Sequence, residues 1–359
     1  MALPPGSTIG IIGGGQLGRM LALAAARFGY RIVVLEPAAD CPAAQVANRH
    51  IVAPYGDRAA LTDLAAASDV VTYEFENVDV KAARFIETLK PVRPGPRALE
   101  VAQDRWNEKT FLNSIGIATA PFRKVETAGD LAEALAGFDG RGILKTRRLG
   151  YDGKGQVRFD GATGDPTPAE AMAAIGHAPA ILEALVPFQR EISVIAAREA
   201  DGAVACYDVA ENVHKSGILS TSTVPAAVSA NVSARAQAAA TALLGALDYV
   251  GVLGLEFFVL DDGGLLANEF APRVHNSGHW TEAACLVSQF EQHIRAIAGL
   301  PLGDGARHAD CVMENLIGDD VNRFTALAAE KRVMLHLYGK AEARPGRKMG
   351  HATRVARQA

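Results

Sequence analysis

Residues 252–279, VLGLEFFVLDDGGLLANEFAPRVHNSGH, constrain this chain more than any other stretch. An apolar, β-rich run from Val252 to Leu260 is broken by Asp261, Asp262, Gly263 and Gly264, and a second run follows from Leu265 to Phe270. Two strand-like runs joined by a short Asp/Gly loop predict a β-hairpin. If Leu260 and Leu265 close it, paired residue numbers sum to 525, and Glu256 lies opposite Glu269. Directly opposed side chains sit roughly 5 Å apart, and like charges there cost stability unless something compensates. A hard divalent cation compensates, since Mg²⁺ takes carboxylate oxygens and fills its other positions with water and phosphate. Arg273, His275, Asn276 and His279 follow the hairpin directly and add polar groups beside the carboxylates.

The rest of the chain alternates strands and helices. Residues 8–12 read as a buried strand, Gly13-Gly14-Gly15-Gln16-Leu17-Gly18 as a loop, 17–28 as an Ala/Leu helix and 31–35 as a strand ending at Glu36. This is a G-x-G-x-x-G fingerprint in a βαβ unit, which taken alone indicates NAD. The physics is less specific: glycine N–H groups at a helix N-terminus favour any anion, a mononucleotide phosphate included. Further strands are expected at 51–53 and 69–74, with helices at 58–67, 80–89 and 98–115. Glu76 falls just past the carboxyl end of the 69–74 strand, where open α/β sheets bind ligands.

Residues 142–145 predict a strand ending in Lys145, followed by the turn Leu149-Gly150-Tyr151-Asp152-Gly153-Lys154-Gly155-Gln156 and a returning strand at 157–159. A strand lysine beside an N–H-rich loop suits closure over a polyphosphate, although Walker A spacing is absent. Strands are then expected at 180–185, 190–197, 204–211, 311–316 and 333–338, with helices at 233–247 and 281–297. His293, inside the last of these, reads as a surface or core histidine. Lys340, Arg344, Arg347 and Lys348 form a basic cluster able to clamp a phosphate.

At 359 residues the chain should divide into two or three domains. A net charge of −4 gives nucleic-acid binding no electrostatic support. No apolar run approaches a membrane span, and MALPPGSTIGIIGGG lacks the basic start of a signal peptide. Cys41, Cys206, Cys285 and Cys311 are scattered, which suits free thiols in a reducing cytoplasm.

GGGQLGRM (13–20), YEFENV (73–78), QDRWNEK (103–109), LKTRRLGYDGKGQ (144–156), ENVHKSGIL (211–219), NEFAPRVHNSGH (268–279) and YGKAEARPGRKMGH (338–351) together resemble the ATP-grasp superfamily. Within it they resemble the N5-carboxyaminoimidazole ribonucleotide synthetases. The resemblance implies an α/β (α+β) chain with a Rossmann-like domain over 1–108, an ATP-grasp domain over 109–300 and a small C-terminal domain over 301–359. It implies ATP- and bicarbonate-dependent carboxylation of 5-aminoimidazole ribonucleotide in purine synthesis, with ATP and Mg²⁺ (Mn²⁺ possible) as cofactors, in a cytoplasmic homodimer. Arg105 and Lys145 would contact the phosphates, with Gly150, Tyr151, Asp152, Gly153, Lys154, Gly155 and Gln156 as lid. Glu183, Ala184, Leu185 and Val186 would meet adenine, Glu191 the ribose, and His214 and Asn268 the nucleotide. Glu256 and Glu269 would hold the metal. Arg273, His275 and Asn276 would surround bicarbonate, and Asp152 would orient or deprotonate the amine. Gln16, Leu17, Glu76, Tyr151, Lys154, Lys340, Arg347 and Lys348 would hold the ribonucleotide. Two alternatives stay open: another ATP-grasp ligase, such as a formate-using ribonucleotide transformylase or a biotin-carboxylase-like enzyme, and an NAD-dependent oxidoreductase.

Overall fold

The structure, a computed structural model, describes residues 2–150 and 155–356. The N-terminal part runs β1 (Thr8–Ile12), α1 (Gln16–Ala26), β2 (Arg31–Leu35), β3 (Arg49–Ile51), α2 (Arg58–Ala66), β4 (Val70–Tyr73), α3 (Val80–Glu87), α4 (Pro96–Ala102) and α5 (Arg105–Ser114). Its strands form a parallel sheet in the order β3-β2-β1-β4. The expected single helix over 98–115 is two helices. Gln103 closes the first and Asp104 caps the second, accepting from the Trp106 N–H at 3.0 Å, because a short carboxylate satisfies N–H groups that a helix start leaves free.

A small antiparallel sheet follows, built from β5 (Phe122–Val125), β6 (Arg141–Thr146), β7 (Gln156–Asp160) and β8 (Ala180–Glu183), in the order β5-β8-β6-β7. It packs against α6 (Ala128–Ala136) and α7 (Pro168–Ala174), both opened by threonine capping boxes.

The largest sheet comprises β9 (Arg190–Arg198), β10 (Val204–Cys206), β11 (Ala210–Lys215), β12 (Ile218–Val224), β13 (Gly251–Val259) and β14 (Leu265–Ala271), and then the C-terminal β15 (Cys311–Ile317), β16 (Val333–Leu337) and β17 (Lys348–Val355). The order is β14-β13-β9-β11-β12-β15-β17-β16, with β10 on the side of β9. Pairing of β12 with β15 carries the C-terminal strands into the central sheet without a break. Its helices are α8 (Ala230–Ala246), α9 (Thr281–Ala284) and α10 (Gln289–Ala298), with α11 (Phe324–Ala329) near the C-terminus. The strand expected over 204–211 divides into β10 and β11, and the helix expected over 281–297 divides into α9 and α10. Ser288 accepts from the Glu291 N–H and starts α10 afresh.

The hairpin forms, with one correction to its register. Val259 pairs with Leu265 and Phe257 with Ala267, one residue short of the expected pairing, while Leu255–Phe270 and Gly254–Ala271 match it. The difference is a β-bulge: Glu256 faces both Asn268 and Glu269. Bulges of this kind re-aim side chains next to active sites.

One core joins the N-terminal and central parts. Met20 and Leu21 of α1 pack with Phe290 and Ile294 of α10, Ile195 of β9 and Val252 of β13. Burying an aliphatic or aromatic side chain of this kind contributes about 1.5–3 kcal/mol, which fixes the two parts as walls of a common cleft. His293 is a core residue, as expected, bonded to Thr72 Oγ1 at 2.9 Å and the Val252 N–H at 3.1 Å. Among the described residues no helix is long and apolar enough to cross a membrane.

Candidate active site

The hairpin carboxylates lie in a cleft between the central sheet and the N-terminal part. Glu269 meets Arg105 Nη1 at 2.9 Å. Burial raises the Glu269 carboxyl, but the Arg105 guanidinium outweighs that and holds it well below the usual range. At Glu256, burial and then the charge of Glu269 outweigh the nearby cationic groups and push the carboxyl up to about 7. Arg105, Glu108 and Lys109 share one face of α5 through i, i+3, i+4 spacing. Glu108 accepts from the Phe270 N–H at 2.7 Å, and burial, then Glu269, raises its carboxyl to about 8. Lys109 is 1% exposed and donates to the Asn268 carbonyl at 3.1 Å. Nothing in the sequence around Glu108 singles it out except its spacing from Arg105, which marks the face that meets the hairpin.

Past the hairpin, Arg273 pairs with Glu76. Burial raises Glu76, but the Arg273 charge reverses that and lowers it. His275 Nε2 stands 3.6 Å from Glu256, and Nδ1 lies 2.8 Å from Ser277 Oγ. Burial and then Arg273 lower the imidazole to about 3, so it is neutral. Two features hold it. A Cβ on Gly254 would stand 2.6 Å from the His275 Cβ, so only glycine allows this approach. Gln289, wholly buried, accepts from the His275 N–H at 2.9 Å and donates to its carbonyl at 2.7 Å. Sequence reasoning missed Gln289, since nothing in its neighbourhood marks it as more than a helix residue.

The polar atoms left over are informative. Asn276 Nδ2 and Oδ1, and Asn268 Oδ1, are buried with no hydrogen-bond partner among the described residues. Such atoms cost free energy unless a ligand satisfies them. Together with a facing carboxylate pair, they fit a hydrated cation and an oxyanion.

A second depression adjoins the first and is lined by Lys145, Glu183, Ala184, Leu185 and Val186, with Phe188 and Phe258 stacked at 4.6 Å. Here Glu183 does something its sequence does not foretell: its carboxylate sits between two ammonium groups, Lys145 at 3.0 Å and Lys109 at 3.3 Å. Burial lowers Lys145 despite that partner. His214 lies 2.8 Å from Glu191. Burial lowers His214, but Glu191 and Glu256 turn the net shift upward. Gly155 begins the described return into β7, its carbonyl accepting from the Thr146 N–H at 2.9 Å. Gln156 is the first residue of β7 and is exposed. Tyr151, Asp152, Gly153 and Lys154 lie outside the described residues.

The glycine loop departs from expectation. Gly15 and Gly18 N–H groups donate to the buried Glu74 carboxylate, the latter at 2.6 Å, and the Gly14 N–H donates to Glu36 at 2.9 Å. Gly13 is at φ 105°, a conformation glycine tolerates. The group at this helix N-terminus is therefore the carboxyl of the protein's own Glu74, placed there because β4 lies beside β1. Gln16 and Leu17 still face the main cleft. Gln16, Lys340 and Arg347 also line a third depression beside it. The C-terminal segment folds back onto the N-terminal part, with Gln45 donating to the Gly339 carbonyl at 2.8 Å. Lys340 donates to the Lys348 carbonyl at 2.7 Å, and burial, then Arg347, lowers it to about 8. Lys348, read as part of a basic loop, begins β17 and lines the main cleft.

Glu36 also accepts from Tyr55 OH, so it latches the glycine loop instead of waiting for a ribose. Glu36→Ala should cost about 1–3 kcal/mol of stability through unsatisfied donors, leave activity within a few-fold, and show no NAD binding by calorimetry before or after the change. Tight NAD binding that disappears in the variant would favour the oxidoreductase alternative.

Residues 6–103 match the model of the ribonucleotide synthetase preATP-grasp domain, 110–290 that of the ATP-grasp domain, and 311–359 that of the phosphoribosylaminoimidazole carboxylase C-terminal domain. Over 355 residues the chain is 68% identical to the N5-carboxyaminoimidazole ribonucleotide synthase of Brucella melitensis biotype 1, covering 99% of this chain and 98% of that one. An ADP complex of an N5-carboxyaminoimidazole ribonucleotide synthetase superposes with a TM-score of 0.95 at 44% identity, over 99% of this chain and 94% of that one. The Aspergillus clavatus synthase in complex with ADP and 5-aminoimidazole ribonucleotide gives 0.91 at 32% identity, over 98% and 94%. The chain belongs to the N5-carboxyaminoimidazole ribonucleotide synthase family of ATP-grasp enzymes.

Proposed function

We infer that this chain carboxylates 5-aminoimidazole ribonucleotide on its exocyclic amine, using ATP and bicarbonate and releasing ADP and phosphate, as a step of purine synthesis. The observation that carries the reading is the Glu256–Glu269 pair beside Asn276, whose buried side-chain amide atoms have no hydrogen-bond partner among the described residues, with Arg105 on one side and Arg273 on the other. That arrangement can assemble charged oxygens that water alone would keep apart.

In this reading adenine lies against Ala184, Leu185 and Val186, Glu191 takes the ribose hydroxyls, and His214 borders the nucleotide. Arg105 and Lys145 reach the phosphates. Glu256 and Glu269, with Asn268 adjacent, would hold Mg²⁺, which when bound supplies positive charge to phosphoryl oxygens. Bicarbonate lies among Arg273, His275 and Asn276. One of its oxygens attacks the γ-phosphorus, the bond to ADP breaks, and carboxyphosphate forms. The amine of the ribonucleotide then bonds to the carboxyphosphate carbon, or to the CO₂ released from it. Phosphate leaves, the amine proton is lost, and the carbamate remains. Arg273 is aimed by Glu76, and neutral His275 offers a hydrogen bond without repelling that guanidinium. Walls that exclude water protect the reactive intermediate. Omitting each substrate in turn from an ADP-release assay tests the assignment.

For the ribonucleotide we propose a site between Gln16, Leu17 and Glu76 on one wall and Lys340, Arg347 and Lys348 on the other, with Lys340 and Arg347 on the 5′-phosphate. The third depression supports this, because it brings the two basic side chains to the N-terminal part. A charge-assisted arginine–phosphate contact contributes about 1.5–3 kcal/mol. Arg347→Ala should therefore raise the KM for the ribonucleotide roughly ten- to a hundred-fold while ATP affinity changes little. Steady-state kinetics with each substrate varied will show it; weakened ATP with an unchanged ribonucleotide KM would remove the clamp.

A cytoplasmic homodimer, using Mg²⁺ or Mn²⁺, completes the proposal. Four free cysteines, three of them buried, suit a reducing compartment.

A further inference from the structure

Three side chains from separate stretches converge where the C-terminal strands meet the segment after the hairpin. Glu282 comes from α9, His336 from β16 and His351 from β17. The register sets His336 directly across from His351, so both imidazoles rise from one face of the sheet. Glu282 Oε2 stands 3.1 Å from His336 Nδ1 and 3.5 Å from His351 Nε2. The three donor atoms all lie within 4.8 Å of one another.

We propose that Glu282, His336 and His351 form a second cation site, separate from the hairpin carboxylates, that takes a divalent transition metal of the zinc class. Ligand atoms about 2.0–2.1 Å from a tetrahedral zinc lie roughly 3.3–3.4 Å from one another. The separations of 3.1 and 3.5 Å bracket that value. Two imidazoles and one carboxylate suit zinc better than Mg²⁺, which prefers an all-oxygen shell.

A second observation concerns the outer contacts of His351. Its side chain is 1% exposed, and Nε2 faces Glu282 Oε2 at 3.5 Å. Its other nitrogen, Nδ1, lies 3.0 Å from the hydroxyl of buried Tyr338. With Nδ1–H donating to that hydroxyl, Nε2 keeps its lone pair, which is the tautomer a metal ligand requires. An outer partner fixing the ring in this way is the usual companion of a ligating histidine. The His279 ring packs on His351 with centroids 4.7 Å apart and limits its rotation. The His336 and Glu282 side chains are 13% and 16% exposed, so an ion has a path in and a coordination position open to water. A bound ion would tie β16 and β17 to α9, a few residues beyond His275 and Asn276.

The test uses the untagged full chain, stripped with a chelator and titrated with Zn²⁺ alone by calorimetry in excess Mg²⁺. One saturable equivalent is expected, together with a rise of several degrees in melting temperature. His336→Ala and Glu282→Gln should each weaken binding at least tenfold; both side chains are partly exposed, and circular dichroism confirms their folding. Co²⁺ should give intense visible absorption of tetrahedral type, lost in His336→Ala. Absence of saturable binding overturns the proposal, as does binding unchanged in both variants. Binding that survives His336→Ala but is lost in Glu269→Gln would put the ion in the main cleft, and also overturns it.

Discussion

Glu269→Gln and Glu256→Gln are each expected to lower turnover by orders of magnitude while the fold stays intact. The side-chain shape is kept and only the charge is lost. The bulge in β14 brings Glu256 against Asn268 and Glu269, an arrangement that like-charge repulsion disfavours and a cation favours. Arg105, 2.9 Å from Glu269, leaves that carboxylate ionised and ready. Charge stabilisation by a metal contributes several kcal/mol to such a transition state, and removing one preorganised electrostatic contact typically lowers kcat by roughly 10²–10³. The check is kcat at saturating ATP and Mg²⁺. Wild-type turnover in both variants would mean that no cation is held there.

Glu183→Ala should have the largest effect on stability. Its carboxylate lies between Lys145 and Lys109, and Lys109 is 1% exposed. Truncating one partner of a buried ion pair leaves an uncompensated charge and costs about 3–5 kcal/mol. Burial raises the Glu183 carboxyl, but Lys145 and then Lys109 outweigh it, so the folded-state value lies below the ordinary one. The sign follows: a lowered carboxyl contributes stability that is present above about pH 4.3, the unfolded value, and is lost as pH falls through the folded value. The wild-type and Glu183→Ala denaturation midpoints should therefore differ most near neutral pH and converge in acid. A stability difference below about 0.5 kcal/mol at pH 7 would show that the lysines find other partners. Freed from Glu183, Lys145 should also hold ATP less firmly, which nucleotide titration reads separately.

The parallel N-terminal sheet and the hairpin were legible because their signals are local: β-branched runs, a glycine loop, and an Asp/Gly turn. The split of the 98–115 helix was within reach, since Asp104 is a strong N-cap preceding a helical run. The bulge was not, because counting outward from a turn cannot reveal where a strand takes an extra residue. The glycine loop shows the same limit more sharply. Its fingerprint predicts a ligand anion at the helix N-terminus, but the adjacency of β4 to β1 places the Glu74 carboxyl there instead. Glu183 likewise read as part of a nucleotide wall, and its two lysines come from α5 and β6, elements that meet it only in the folded chain. The C-terminal strands were partly read, but their union with β12 depends on pairing 90 residues or so along the chain.

The most direct test of the central claim is ADP release with ATP, bicarbonate and 5-aminoimidazole ribonucleotide, with each omitted in turn. The reading predicts rapid release with all three, accompanied by label from bicarbonate appearing in the carbamate, and a large drop when the ribonucleotide or bicarbonate is left out. Equal ADP release without bicarbonate, or release that follows formate in its place, would contradict it.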